Sequence, residues 1–527
     1  MFDSNISIDT QVRSLMNVLD DLRKGNIQVP PFQRDFVWHQ DDVKALFDSI
    51  RNNYPIGSIL LWEPEQNYNW TQVKTIGGIR LPEPSGNTLY VLDGCQRLAT
   101  LFGCLINPAN VKLEDATFWK ENFELFYDLE EDAFIYLGNR AKKPHQIPLY
   151  VLTSTSEFRQ YTRRYLDSAN LDEQTINLYL DRADMFSRSL MDYKLAVIEV
   201  NNAELEHAVE IFSRINSKGT DITYDWIVNA LSYNYNNGFR FATEIENLLV
   251  RLEKYNFGDY SRNSIFRCYQ SAFDDKLYID QQNLAELAKR KDFEPVVKRT
   301  GACIEKAVDF LFYRLHVVDT RLLPYNMQLV FLMTFFRKIG APSDDQLKIM
   351  EKWFWQTTYS NYFTIYSLSN QRKSYRHFLN FLEGKEDSPL YIDDSSKQPF
   401  KTYSFPKLVY LSSVRSKAVV LFQLRFYCSK KGNGYGEKLR YCKIDNRVEN
   451  TPANLIPFLS PDTDEALLKY DKELVVDDRS PFVIPEGTFQ MRTQEDRNLF
   501  LEKRLIFLQE SEAGFVRELG LEYTFES

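Results

Sequence analysis

Tyr90-Val91-Leu92-Asp93-Gly94-Cys95-Gln96-Arg97 is the stretch that decides the fold of the first half of this chain. Its apolar start, Leu89 to Leu92, reads as a buried strand. Asp-Gly breaks that strand, and Leu98, Leu101, Phe102 and Leu105 follow at helical spacing. A strand that passes through glycine into a helix aims the backbone N–H groups of the first helical turn at one point, where an anion is held. Gly94 allows a phosphate to approach closely or a tight positive-φ turn to form. Asp93 is placed to hold a metal ion or a water, and Gln96 and Arg97 are expected to face the same mouth. An ordinary strand–turn–helix with a capping Asp accounts for the same residues.

Working outward, Ile27-Gln28-Val29-Pro30-Pro31-Phe32-Gln33-Arg34 is a short strand halted by two prolines. Gln33 and Arg34 leave that turn as a donor–acceptor amide and a planar five-donor fork suited to phosphate. Downstream, Glu210-Ile211-Phe212-Ser213-Arg214-Ile215-Asn216-Ser217-Lys218-Gly219-Thr220 ends a helix at a Gly stop, with Arg214 and Asn216 at the junction. Val12 to Lys24 and Val43 to Ile50 carry helical apolar spacing, and Ile59 to Trp62 and Leu195 to Val200 read as strands. Glu63 to Asn87 is Gly-, Pro- and Asn-rich and is expected to be a long loop or hairpin. From about Ala203 the period is almost wholly helical, and Glu383 to Lys401 is the best linker candidate of the second half. The expected architecture is α+β. An N-terminal domain spans 1–235, a helical domain 236–395, and a small α+β or helical C-terminal domain 396–527.

Composition limits the chemistry. Net charge is -9, which argues against a chain coated in basic charge for nucleic acid while leaving room for a local basic face. Five histidines, His39, His145, His207, His316 and His377, give multi-histidine chemistry few places to sit. Six cysteines without a C-x-x-C pair exclude a zinc ribbon and fit a reducing, cytoplasmic compartment. No basic-then-apolar leader opens the chain, and Met327 to Phe336, its longest apolar run, is too short to span a bilayer. No metal-ligand set is readable.

The three motifs, in this order, resemble the GmrS-type family of prokaryotic genome-defence proteins, whose N-terminal domain has a ParB/sulfiredoxin-like fold. That family shows V-P-x-[YF]-Q-R, then D-G-Q-Q-R after a strand, then F-x-R-[IL]-N-x-x-G. Here these are Val29 to Arg34, Asp93 to Arg97 and Phe212 to Gly219. Ser49-Ile50 with Pro55-Ile56-Gly57 is similar to the family's S-I-x-x-x-x-P-I-G element. The resemblance covers about residues 8–235 and implies nucleoside triphosphate binding and hydrolysis, with Mg2+ as a plausible helper. It implies that Gln33, Arg34, Asp93, Gly94, Gln96 and Arg97 line the pocket, with Asp93, Gln96, Arg97 and Arg34 as the catalytic set and Arg214 and Asn216 in support. Cys95 replaces the family's first Gln and makes Gly94-Cys95-Gln96-Arg97 similar to the G-C-H-R segment of sulfiredoxin, where the Cys is a catalytic thiol. A small space-filling Cys is the plain alternative.

Many relatives in that family carry a C-terminal His-Asn-His nuclease domain. Such chemistry needs a histidine base. The last histidine is His377, and Tyr441 to Asp445, where the family has H-x-x-P, has none. His-Asn-His cleavage is therefore expected to be absent, with a degenerate fold around Asn446, Asn450 and Asn454 or an unrelated binding domain in its place. Residues 401–448 hold eleven Lys or Arg against two acids, interleaved with tyrosines, and Lys430, Lys431, Lys438, Arg440 and Lys443 are the candidate DNA contacts. The leading expectation is an anti-phage, restriction-type protein that couples nucleotide turnover to recognition of foreign or modified DNA, or of a phage or partner protein. The alternatives are a non-catalytic nucleotide- or modified-base-binding platform and a nuclease working through carboxylates, with Asp464-Glu465 and Asp477-Asp478 read as solvated surface or cap charges.

Overall fold

The computed structural model describes residues 6–33, 35–65, 75–83, 88–166, 171–216, 239–277, 284–365, 367–393, 400–431, 438–460, 483–485 and 494–525, together with Val228, Ala230 and Ser232. The chain divides into two compact units, Met1–Gly238 and Phe239–Ser527. It is α+β: strands concentrate in the first unit, and the second is mostly helical.

The first unit is built on a five-stranded mixed sheet. Its strands are β1 (Ser7–Ser14), β2 (Ile27–Gln28), β3 (Ile59–Pro64), β6 (Leu89–Asp93) and β10 (Lys194–Ala203), in the order β1-β10-β3-β6-β2. Between β3 and β6 lies a small hairpin of β4 (Thr75–Ile76) and β5 (Ile79–Arg80), inside the stretch expected to be loop or hairpin. Apolar runs make the central strands: Ile59, Leu61, Val91 and Val197 are fully buried. Helix α1 (Leu15–Lys24) covers the sheet through Leu15, Val18, Leu19 and Leu22, and α2 (Gln40–Arg51) buries Val43, Leu46, Phe47 and Ile50. Helix α3 (Cys95–Leu105) is buried along most of its length.

The helix expected from Val12 begins only at Leu15. Ser7 to Ser14 pairs antiparallel with β10 over eight positions instead, leaving Val12 71% exposed on the outer face of an edge strand. A full ladder of backbone hydrogen bonds outweighs one apolar residue at helical spacing. A second sheet, β8-β7-β9, joins β7 (Phe126–Asp128), β8 (Ala133–Ile135) and β9 (Gln146–Pro148), and sequence periodicity did not announce it. After α4 (Ala116–Asn122), α5 (Thr155–Tyr161) and α6 (Glu173–Asp192), the unit closes with α7 (Leu205–Asn216), which packs on β10, β3 and β6.

In the second unit, Phe293–Tyr313, Asn326–Ile339, Asp344–Tyr359 and Leu368–Leu382 form successive helices. Many of the chain's aromatics serve this core: Phe331 stacks on Trp353 with ring centroids 5.4 Å apart and meets Phe363, Tyr375 and Phe378. Helices Val414–Lys431 and Gln494–Glu518 belong to the same unit, as does an antiparallel pair, β11 (Lys438–Lys443) and β12 (Leu455–Ser460). Residues 394–399 of the linker candidate lie outside the described residues.

Candidate functional site

The site forms where β6 runs into α3. Leu60 pairs with Asp93 while Leu61 pairs with Val91, so Leu92 is an extra residue in β6. A bulge of this kind bends the strand and re-aims the side chain that follows. Gly94 then turns the chain at φ +86° to start α3 at Cys95. Only glycine fits: it is left-handed, and a Cβ there would collide with the Ile59 side chain.

Arg97 lies one turn into the helix and reaches back. Its Nη2 donates to Asp93 Oδ2 at 3.1 Å, and its Nη1 donates to the Ile56 carbonyl at 2.9 Å. The guanidinium rests where Gly57, at φ +88°, would carry a side chain. That close approach explains the Pro55-Ile56-Gly57 segment, whose glycine leaves the arginine its seat. The pair remains reachable, with 18% of the Arg97 side chain and 35% of the Asp93 side chain exposed.

Two glutamines fasten the Pro30–Val37 loop to the same point. Gln33 Nε2 donates to the carbonyls of Val91 and Leu92 at 2.9 and 2.8 Å. Gln96 is 8% exposed; its Oε1 accepts from the Val37 N–H at 2.9 Å and its Nε2 donates to the Asp35 carbonyl at 3.0 Å. Gln96 therefore does not face the mouth that its place in the first helical turn led one to expect. It turns inward because both ends of its amide find unpaired loop backbone. Cys95 is a half-buried thiol at the first position of α3. Arg34 lies outside the described residues. Arg214 and Asn216 fall on α7, with their side chains outside the described set.

Three of the four matched segments thus converge: the Pro-Pro turn, Pro55-Ile56-Gly57, and Asp93 to Arg97. The arrangement presents a carboxylate and an arginine beside a helix N-terminus, with Gly57 making room for the guanidinium. One carboxylate is enough for an octahedral ion that keeps most of its waters and takes its other ligands from phosphate.

In the second unit the run of eleven cations is not one face. Arg415 is buried and paired with Glu512. Lys417 donates to the Leu323 carbonyl at 2.7 Å, and burial lowers its pKa. Lys438 and Arg440 share the exposed face of β11, while Lys443 is one residue out of phase and donates to the Val448 carbonyl at 3.2 Å. The side chains of Lys430 and Lys431, and residues Asp464, Glu465, Asp477 and Asp478, lie outside the described residues. Asn454 is fully buried and staples its loop: Nδ2 donates to the carbonyls of Asp445, Val448 and Glu449, and Oδ1 accepts from the Asp445 N–H. A cleft of about 580 Å³ between Tyr255, Phe310 and Leu347 carries charges that already pair, Arg314 with Glu351 and Glu305 with Lys254. Among the described residues no helix is long and apolar enough to cross a membrane.

A mixed sheet whose bulged strand delivers an aspartate and an arginine to a helix start makes the first unit an α+β domain. Residues 15–233 match the family described as GmrSD restriction endonuclease, N-terminal domain. The chain is also similar to an uncharacterized protein of Methanocaldococcus jannaschii, 22% identical over 489 residues. That likeness covers 84% of this chain and 79% of the relative, so it runs well past the first unit.

Proposed function

We propose that the first unit binds and hydrolyses a nucleoside triphosphate, and that this turnover is coupled to recognition of foreign or modified DNA by a restriction-type defence protein. The observation that supports it is the Asp93–Arg97 pair at 3.1 Å on the first turn of α3. Phosphoryl transfer asks a protein mainly for positioning and charge neutralisation. Arg97, with the first-turn amides of α3, would neutralise the transferring phosphoryl oxygens. Asp93 would orient the attacking water or hold a hydrated Mg2+ against the phosphates. Gln33 and Gln96 act by fixing the loop that carries Arg34, and Arg34 would supply the second cation. The restriction family of the first unit supports the defence context. Lys438 and Arg440 on the exposed face of β11 are the DNA contacts this reading retains.

The test is a hydrolysis screen of the full chain with ATP, GTP, CTP and UTP, with and without duplex DNA, comparing wild type with Arg97→Ala and Asp93→Asn. Turnover that falls at least about 10²-fold in both variants is the expected result. Tight nucleotide binding without turnover, indifferent to divalent ions, would instead make the unit a non-catalytic platform. Gln96 already serves structure in that way.

A further inference from the structure

Asp128, Glu130 and His145 come together at one end of the three-stranded sheet. Asp128 ends β7, Glu130 lies in the turn to β8, and His145 immediately precedes β9. His145 Nε2 is 3.2 Å from Glu130 Oε2 and 3.7 Å from Asp128 Oδ1. The nitrogen is sealed from solvent yet makes no hydrogen bond with any neighbour. An imidazole that merely pairs with acids points an N–H along the line to one oxygen. This one lies 3.2 and 3.7 Å from two carboxylate oxygens without a hydrogen bond to either, separations close to those of donors gathered around a metal. Around a tetrahedral Zn2+ with bonds of about 2.0–2.1 Å, neighbouring donors lie about 3.3 Å apart.

The surroundings hold the donors still. Asp128 Oδ1 accepts from the N–H groups of Glu130 and Glu131 at 3.0 and 3.2 Å, and Oδ2 accepts from Gln146 Nε2 at 2.9 Å. The Leu129 N–H donates to the His145 carbonyl at 3.0 Å, tying the turn to the segment before β9. Tyr179 packs against the imidazole with ring centroids 5.7 Å apart. The nearby cation, Arg182, spends its Nη1 on the carbonyls of Leu129 and Glu130, at 2.6 and 2.9 Å. Asp128 Oδ2, with one partner, and the Glu130 carboxylate keep lone pairs for an ion, and oriented outer hydrogen bonds are what a metal ligand set requires.

We infer that Asp128, Glu130 and His145 form a binding site for a divalent transition metal of the zinc class. One imidazole nitrogen and two carboxylate oxygens suit Zn2+ better than Mg2+ or Ca2+, which take oxygen alone. The Glu130 side chain is 53% exposed, so the fourth position opens to solvent on that side and takes a water. The ion would lock the β7–β8 turn to the start of β9, and the site is separate from the Asp93–Arg97 pair.

The experiment loads the chelator-stripped full chain with Zn2+, desalts it, and measures bound metal; a parallel titration with Co2+ follows the visible absorption of the coordinated ion. Wild type is expected to retain about one equivalent and to melt higher with Zn2+ present. Glu130→Gln and His145→Gln should each weaken binding at least tenfold and abolish the thermal shift, whereas Asp93→Asn should keep the metal. A wild type that retains no metal, or a Glu130→Gln variant that binds as well as wild type, overturns the site. Should His145→Gln fail to fold by circular dichroism, Glu130→Gln at its exposed position decides alone.

Discussion

Two arginine–carboxylate pairs, one in each unit, show what separates a site from a staple. Arg415 and Glu512 make two parallel bonds of 2.8 and 2.6 Å, with side chains 7% and 0% exposed. The Tyr359 and Tyr523 hydroxyls donate to the same carboxylate, and Arg415 Nε donates to the Tyr403 carbonyl. That pair is saturated and closed. Arg97 and Asp93 share a single bond, stand partly in solvent, and face a helix N-terminus. The open pair has donors and acceptors to offer a ligand; the closed pair has none. The same residue types therefore carry fold in one unit and candidate chemistry in the other.

The closed pair should show the largest effect on stability. Glu512→Gln leaves a buried guanidinium without its counter-charge and should cost about 3–5 kcal/mol, read by denaturant unfolding of the full chain. A loss under about 1 kcal/mol, the range of a surface pair, would erase the contrast. The open pair should respond in reverse. Arg97→Ala should raise the barrier to nucleotide hydrolysis by about 2.7–4 kcal/mol while changing unfolding far less than Glu512→Gln. Steady-state turnover beside a denaturation curve separates the two, and an Arg97→Ala protein that unfolds but keeps its turnover would invert the assignment.

Acid probes the closed unit further. Burial, with Arg425 nearby, pushes the His316 pKa down to about 4 from its ordinary 6.5, and its Nδ1 is sealed without a partner. Below pH 6.5 the unfolded chain takes up this proton and the folded one does not, so stability rises with pH across that window. Stability should therefore fall as pH drops from about 6.5 to about 4, by at most about 3 kcal/mol. His316→Gln should flatten that part of the profile, and a mutant curve parallel to wild type would remove His316 as the cause.

The open site was the more legible of the two in sequence. A continuous apolar strand, Asp-Gly and a helical period are local signals, and they placed β6, Gly94 and α3 correctly. What the side chains do is not local. Gln96 turns inward because Asp35 and Val37, about sixty residues away, need partners. Arg415 read as surface charge because Glu512 lies 97 residues away. Strands of three residues, like β7, β8 and β9, show no period, so nothing in the chain announced that Asp128, Glu130 and His145 would meet.

The smallest effect tests whether the open site depends on its loop. Gln96→Ala leaves the Val37 N–H and the Asp35 carbonyl without their partner, which should cost about 1–2 kcal/mol. Hydrogen exchange at the Val37 amide should accelerate accordingly, since that group loses its acceptor. Because the loop carries Gln33 and leads into Arg34, hydrolysis should fall with it, yet less than in Arg97→Ala. Equal losses in the two variants would place Gln96 among the groups that touch the nucleotide. Unchanged turnover with a loosened loop would leave Arg97 and Asp93 to carry the site without the Pro-Pro turn.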